Sequence, residues 1–281
     1  MSIRSGIIKA LVILFLCGAI FGSAGFFAYR LFVTPKNNLK RAMAGPQPTR
    51  PPDPSIAEFE RCKKTADAAN PADGRAAWED FVTRYPDSPR IDEAREALGD
   101  LNIKLFFSDA PDPGKQQYVI QKGDTISAIE KKTKVPSELI MRLNKITDPT
   151  RLHIGDTLNI SRPDFSLKIN HKTKTVMLFN KGKFFKQYKV EPWNAPPPKS
   201  TAPSSAKVVE KSAWKNNQRV AFGAKEYNDS GRWIGTSAAG YTLYSEGVEG
   251  VPKPQGGLGM KEEDIEELST LINRGTPVTI E

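Results

Sequence analysis

Residues 118–161, YVIQKGDTISAIEKKTKVPSELIMRLNKITDPTRLHIGDTLNIS, carry the most regular pattern in this chain of 281 residues. Apolar residues alternate at both ends of the stretch and recur at helical spacing between them. Gly123 allows a tight turn after the first strand, and Asp124 and Thr125 can then cap a helix. Pro136 suits the first turn of a second helix. The stretch therefore predicts a small strand–helix–helix–strand (βααβ) unit.

The same stretch resembles the LysM module, a family of small βααβ domains. The matching residues are Tyr118, Val119, Gly123, Asp124, Thr125, Ile126, Ile129, Val135, Leu139, Leu143, Asn144, Leu152, Gly155, Leu158 and Ile160. The resemblance implies that residues 117–162 form a LysM domain. It also implies a partner, a glycan containing N-acetylglucosamine such as peptidoglycan or chitin.

The LysM resemblance places a glycan groove between two loops. The first loop consists of Gly123, Asp124, Thr125 and Ile126, and the second of Ile146, Thr147, Asp148 and Pro149. Backbone hydrogen bonds and small apolar contacts suit the acetamido groups of such sugars. These eight residues are the predicted glycan-binding residues. The alternative for Asp124 is a purely structural role as a helix cap.

Residues 165–281 show a different pattern, dominated by strands. Phe165–Ile169 and Thr175–Phe179 alternate like paired strands, and a lysine-rich turn leads into a third, Phe184–Val190. In outline these residues resemble the L,D-transpeptidase domain, a mostly-β enzyme that cross-links peptidoglycan with a cysteine nucleophile. The resemblance implies that Gly275–Ile280 is the closing strand of that domain.

The residues that carry the chemistry of that family are replaced here. The family's active site ends in Ser-His-Gly-Cys-(Ile/Val)-Arg-(Met/Leu), and residues 254–260 read Pro-Gln-Gly-Gly-Leu-Gly-Met. Gly257 stands at the cysteine position, Gln255 at the adjacent histidine, Gly259 at the arginine and Tyr244 at an upstream histidine. Acyl transfer by an enzyme of that family needs a thiolate, a base and oxyanion donors. We therefore predict no catalytic residues and a degenerate, inactive domain, a pseudoenzyme.

The N-terminal part predicts attachment to a membrane. Ala10–Tyr29 is an uncharged apolar run long enough to cross a bilayer as a helix. We interpret residues 1–33 as a cytoplasmic tip with an uncleaved transmembrane anchor, in preference to a cleaved signal peptide. Residues 34–54 are a proline-rich linker. The predicted location is the cytoplasmic membrane, with a single pass and the C-terminal body facing the periplasm or cell wall.

Residues 55–110 predict helices, because Trp78, Phe81, Val82 and Tyr85 follow helical spacing before a proline-containing break. The segment resembles tetratricopeptide-like hairpins, but it is too short for a full repeat array. We interpret it as a helical spacer in preference to a peptide-binding groove.

The composition limits the classes of partner and chemistry. The net charge of +9 suits the anionic surface of a membrane or wall polymer. The sequence shows no interleaved basic and aromatic motif for nucleic acid, so we predict no nucleic-acid binding. It contains two cysteines and two histidines, without metal-ligand spacing. We therefore predict no metal site and no cofactor.

Together these features predict an α+β, membrane-anchored cell-wall protein that binds peptidoglycan non-covalently. Two alternatives stay open at this point. One is an active peptidoglycan transpeptidase or hydrolase with a rearranged site. The other is a regulatory partner of a wall-synthesis enzyme that forms cross-links.

Overall fold

The structure is a computed structural model that describes residues 22, 25, 26, 28–30, 53–68, 70–109, 114–198, 200 and 202–281. The chain divides into two compact units, Met1–Asp53 and Pro54–Glu281. Most of the predicted anchor Ala10–Tyr29, and of the linker at residues 34–54, lies outside the described residues. Within the described part, every helix is too short or too polar to cross a bilayer.

The second unit begins with three helices, α1 (Pro54–Ala68), α2 (Pro71–Arg84) and α3 (Ile91–Phe106). Helix α2 starts at a proline, and the Asn70 side chain accepts hydrogen bonds from the backbone N–H groups of Ala72 and Asp73. Their apolar faces form a core of their own, made by Phe59, Cys62, Trp78, Phe81, Ala94 and Leu98.

The βααβ unit follows. It consists of β1 (Lys115–Val119), α4 (Ile126–Thr133), α5 (Ser137–Leu143) and β2 (Thr157–Ser161). The two strands pair antiparallel, with Tyr118 opposite Leu158. The order of elements expected from the apolar pattern is therefore present in the fold.

The C-terminal part is a nine-stranded sheet with one helix. Its elements are β3 (Phe165–Asn170), β4 (Thr175–Asn180), β5 (Lys183–Lys189), β6 (Ser204–Lys215), β7 (Gln218–Val220), β8 (Gly231–Thr236), β9 (Leu243–Ser245), β10 (Leu258–Met260), α6 (Glu262–Leu271) and β11 (Pro277–Ile280). The strand order is β10-β9-β8-β6-β11-β3-β4-β5, and β7 pairs with β6. The last strand, β11, lies inside the sheet, parallel to β3 and antiparallel to β6. The mixed α+β class with a mostly-β C-terminal domain is confirmed.

The three helices pack on the edge of this sheet at β5. The Asn102 side-chain amide on α3 donates a 2.8 Å hydrogen bond to the backbone carbonyl of Phe185. The ammonium of Lys186 lies between Asp100 on α3 and Glu267 on α6, at 3.3 and 3.1 Å. The helical segment thereby covers an edge strand that would otherwise offer unpaired backbone groups.

The βααβ unit and the β domain share one hydrophobic core. Ile129 and Leu139 of the βααβ unit belong to the same cluster of buried side chains as Ile265 and Leu268 of α6. Burial of apolar area is the main favourable term in such packing. The βααβ unit is thus fixed against the β domain, and this contact positions the site described next.

Candidate functional site

A groove of about 480 Å³ lies between the two loops that the sequence singles out. Its lining residues are Asp124, Thr125, Ile126, Ser127, Pro149, Thr150, Leu152, Phe222 and Gly223. Four of the eight predicted residues are therefore in the lining, namely Asp124, Thr125, Ile126 and Pro149. The sequence reasoning missed the wall formed by Phe222 and Gly223, which comes from the β domain.

Asp124 holds the first loop together from the inside. Its carboxylate accepts hydrogen bonds from the Tyr118 hydroxyl at 2.7 Å and the Gln121 backbone N–H at 2.9 Å. The ammonium of Lys132 lies 2.6 Å from the other carboxylate oxygen. Only 2% of the Asp124 side chain is exposed. The Lys132 hydrogen bond, helped by the other two donors, lowers the pKa of Asp124 from 3.8 to about 2.

Because the pKa of Asp124 is lower in the folded protein, its carboxylate stabilises the fold above its ordinary pKa of 3.8. That contribution is lost as the pH falls towards 2. We therefore expect Asp124→Asn to be less stable than the wild type at neutral pH, and the difference to shrink as the pH falls through this window. Denaturant unfolding of both proteins at a series of pH values measures it. A difference that stays constant down to pH 2 would contradict this role of Asp124.

The other residues of the first loop serve the fold and the groove in different ways. Gly123 has a φ of +84°, the left-handed conformation of the tight turn. The Thr125 hydroxyl accepts a 3.1 Å hydrogen bond from the backbone N–H of Ala128 and so caps α4. The Ile126 side chain is 1% exposed and belongs to the core. Ile126 therefore supports the loop from the core, whereas Ser127 is exposed at the groove.

The second loop is shaped by Asp148. Its Oδ1 accepts hydrogen bonds from the backbone N–H and the hydroxyl of Thr150, at 2.9 and 2.6 Å. These bonds lower the pKa of the Asp148 carboxyl. The Pro149 ring then reaches the β domain, since its Cγ lies 3.5 Å from the position that a Cβ on Gly223 would take. Asp148 thus sets the shape of the loop that presents Pro149 and Thr150.

A second, larger cavity of about 910 Å³ adjoins the groove. It is bounded by α5, the second loop, the segment 222–232 and α6. Ile146, Thr147 and Asp148, three further residues from the predicted set, line this cavity. Basic and acidic side chains both line it: Arg142, Lys145, Lys225 and Arg232, and Asp148, Glu138, Glu263, Glu266 and Glu267.

A polar network joins the βααβ unit to the β domain at the wall of this cavity. The carboxylate of Glu138 on α5 accepts hydrogen bonds from the ammonium of Lys211 at 2.7 Å and from the Tyr227 hydroxyl. Burial raises the pKa of Tyr227, with a smaller contribution from the Glu138 charge. The Arg232 guanidinium stacks 4.3 Å from the centre of the Tyr227 ring and donates to the Tyr227 carbonyl at 3.0 Å. The segment around Tyr227 is therefore fixed from both domains.

The four positions aligned with a transpeptidase active site lie near β9 and β10. Gly257 has a φ of +119°, and a Cβ there would lie 2.6 Å from Pro254 Cγ and 3.1 Å from the Thr242 carbonyl oxygen. Gly259 on β10 pairs with Tyr244 on β9, and a Cβ on Gly259 would lie 2.5 Å from Pro192 Cδ. The backbone is thus packed too closely at both glycines to admit a side chain without movement.

The two polar residues of this set differ in their surroundings. Tyr244 is 2% exposed, and burial raises the pKa of its hydroxyl to about 12. Gln255 is exposed. The tyrosine therefore remains protonated at neutral pH and is a poor base. The Gln255 side chain has no titratable group, so it cannot act as a base either.

Ser245, which pairs with Met260 across β9 and β10, carries one of the hydroxyls in this region. It is buried on β9, and its Oγ accepts a 2.7 Å hydrogen bond from the backbone N–H of Arg232. The ring of His171 packs instead on Trp193, with 5.3 Å between ring centres, and His153 lies beside Asp156 on the surface. In the residues that the structure describes, no group of histidine, cysteine or acidic side chains could hold a metal ion.

Comparisons with known proteins add to this geometry. Residues 118–161 match the LysM domain family. A search of the curated proteins found no match. Among solved structures, the chain is similar to an L,D-transpeptidase from Enterococcus faecium with 14% identity, over 42% of this chain and 50% of that one, at a TM-score of 0.29.

Two further structures are similar to the same degree. An L,D-transpeptidase from Mycobacterium smegmatis has 10% identity over 46% of this chain and 64% of its own, at a TM-score of 0.29. An L,D-transpeptidase from Stackebrandtia nassauensis has 14% identity over 80% of this chain and 90% of its own, at a TM-score of 0.30. This chain thus spans less than two thirds of the E. faecium and M. smegmatis chains. With its βααβ fold and its family match, the stretch at residues 118–161 of this chain is a LysM domain.

Proposed function

We propose that the protein binds peptidoglycan non-covalently, through its N-acetylglucosamine-containing glycan, in the groove of the LysM domain. The observation that carries this proposal is the groove of about 480 Å³ between the two loops of that domain. Its lining combines hydroxyls from Thr125, Ser127 and Thr150 with the apolar surfaces of Leu152 and Phe222. Such a mixture suits sugar hydroxyls and acetamido methyl groups.

The β domain takes a non-catalytic part in this proposal. The support is the packing at Gly257 and Gly259, where a side chain of the kind that acyl transfer requires would collide with Pro254 or Pro192. Its contribution is instead structural, because Phe222 and Gly223 complete the wall of the groove. The groove therefore depends on the β domain even without catalysis.

The proposal extends to the cellular role. The apolar run Ala10–Tyr29 would hold the protein in the cytoplasmic membrane, with the described body in the periplasm or cell wall. A membrane anchor and a glycan-binding domain on one chain make the second attachment intramolecular, which raises retention through effective concentration. The protein would thus attach the membrane to the wall.

Filling the groove tests the glycan assignment. We expect Ser127→Trp to raise the Kd for purified peptidoglycan, measured by co-sedimentation, about tenfold, the equivalent of about 1.4 kcal/mol. The indole would occupy the space between the loops, and Ser127 is exposed, so the fold should be unaffected. Gln117→Trp is the matched control, because Gln117 is an exposed residue on β1 outside the groove lining.

Point variants are preferable to deletion of residues 118–161, because the LysM domain and the β domain share one core. Equal sedimentation of wild type, Ser127→Trp and Gln117→Trp would refute the groove as the glycan site. Absence of wall binding by the wild type would instead favour the regulatory-partner alternative.

A further inference from the structure

The groove and the larger cavity meet at a shared boundary. Pro149, Phe222 and Gly223 line both. Pro149 and Gly223 approach each other closely, since the Pro149 Cγ lies 3.5 Å from the position that a Cβ on Gly223 would take. This contact forms a ridge between the groove and the larger cavity. A ligand that occupies the groove and carries a side branch can therefore reach the larger cavity over this ridge.

The larger cavity is lined by charges of both signs. Helix α6 presents Glu263, Glu266 and Glu267, and the β domain adds Lys225 and Arg232. Helix α5 and the loop after it present Glu138, Arg142, Lys145 and Asp148. Such a combination of charges is complementary to a ligand that carries both an amine and carboxylates.

Two of these charges are available to a ligand. Lys225 and Glu263 are exposed, and neither pairs with an oppositely charged side chain in the described part of the chain. By contrast, Lys145 pairs with Asp109, and Glu266 lies 3.5 Å from Arg232. A neutral N-acetylglucosamine polymer forms no ion pair with Lys225 or Glu263, because it has no ionised group. These two charges are therefore free to pair with a charged group attached to the glycan.

We propose that the larger cavity binds the short peptide of a peptide-bearing glycan, a peptide with carboxylates and a free amine, while the LysM groove holds the sugar chain. Lys225 binds a carboxylate of the peptide and Glu263 binds its amine. The volume of about 910 Å³ is within the usual range for a site of this kind, ~300–1,000 Å³. This inference rests on the proposed glycan-binding function, to which it adds a preference among glycans.

The test uses two probes made from one preparation: soluble peptidoglycan chains with their peptides attached, and the same chains after an amidase has removed the peptides and the carboxylates thereby freed on the sugars have been coupled to methylamine. We expect the wild type to bind the peptide-bearing chains about five- to tenfold more tightly, as a few exposed charge pairs would provide. We expect Glu263→Lys to remove this preference and to leave affinity for the stripped chains unchanged. Calorimetry or fluorescence anisotropy measures both affinities.

Glu262→Lys is the matched control. Glu262 and Glu263 are neighbouring exposed residues in the first turn of α6, so both changes have the same effect on net charge and on the helix terminus. Only Glu263 lines the cavity. We expect Glu262→Lys to keep the wild-type preference, and Lys225→Glu to lose it as Glu263→Lys does.

The outcomes separate the two proposals. Equal wild-type affinity for both probes, or equal effects of Glu262→Lys and Glu263→Lys, would overturn the peptide site while leaving glycan binding intact. Failure of the stripped chains to bind at all would count against the proposed glycan function. A preference for peptide-bearing chains that depends on Glu263 and Lys225 but not Glu262 would support the peptide site.

Discussion

A cysteine restored at position 257 is expected to destabilise the protein and to leave it inactive. Gly257→Cys should lower the free energy of unfolding by about 2–4 kcal/mol, from backbone strain and overpacking together. The φ of +119° disfavours any residue with a Cβ, and that Cβ would lie 2.6 Å from Pro254 Cγ. The two histidine positions would still hold Gln255 and Tyr244, neither of which acts as a base at neutral pH. We therefore expect no acyl-enzyme with a β-lactam.

Chemical denaturation and intact-mass measurement after incubation with the β-lactam give the two readouts. Gln255→Cys is the control, since Gln255 is an exposed neighbour and its substitution should change stability by less than about 0.5 kcal/mol. It also shows how an accessible thiol in this loop reacts in the absence of a site. A stable Gly257→Cys protein that forms an acyl-enzyme faster than Gln255→Cys would revive the rearranged-enzyme alternative.

The sequence predicts the local elements well where periodicity and capping act within one segment. Thr125 caps α4 as its position after Gly123 suggested, and the alternation in residues 165–190 became β3, β4 and β5. Local hydrogen bonds and side-chain spacing determine these features, and both are readable from neighbouring residues.

The larger part of the candidate site depends on tertiary contacts, which the sequence pattern does not encode locally. Phe222 and Gly223 lie some way along the chain from the LysM loops and reach the groove only because the two domains share a core. The sequence contained one local signal of this contact. Leu139 and Ile140 are adjacent apolar residues on the short helix α5, which indicates an apolar face wider than a single stripe. Both residues are fully buried in the structure.

The position of Ile126 depends on both the motif and the tertiary fold. The family resemblance placed it at the glycan groove, and it does belong to the groove lining, yet the residue is almost fully buried in the core. A motif position records where a residue stands in the chain, whereas the direction of its side chain depends on the helix phase. At the first position of α4 that phase points Ile126 inward.

The contact between the LysM domain and the β domain leads to the second large effect. We expect Glu138→Ala to lower the free energy of unfolding by about 3 kcal/mol, because removing one partner of a largely buried ion pair leaves the other uncompensated. The Lys211 ammonium would keep only the Ile272 carbonyl at 3.0 Å, and the half-buried Tyr227 would lose the acceptor of its hydroxyl. Urea unfolding, followed by tryptophan fluorescence, measures the loss.

Two comparisons isolate the cause. Glu96→Ala removes an exposed ion pair with Lys189 and should change stability by about 0.5 kcal/mol or less. Adding Lys211→Met to Glu138→Ala should recover part of the loss, since no charge then remains unpaired. A loss from Glu138→Ala no larger than that from Glu96→Ala would show that the network contributes little. If the loss is large, the same variant should also weaken glycan binding, because Glu138 and Tyr227 fix the segment whose Phe222 and Gly223 complete the groove.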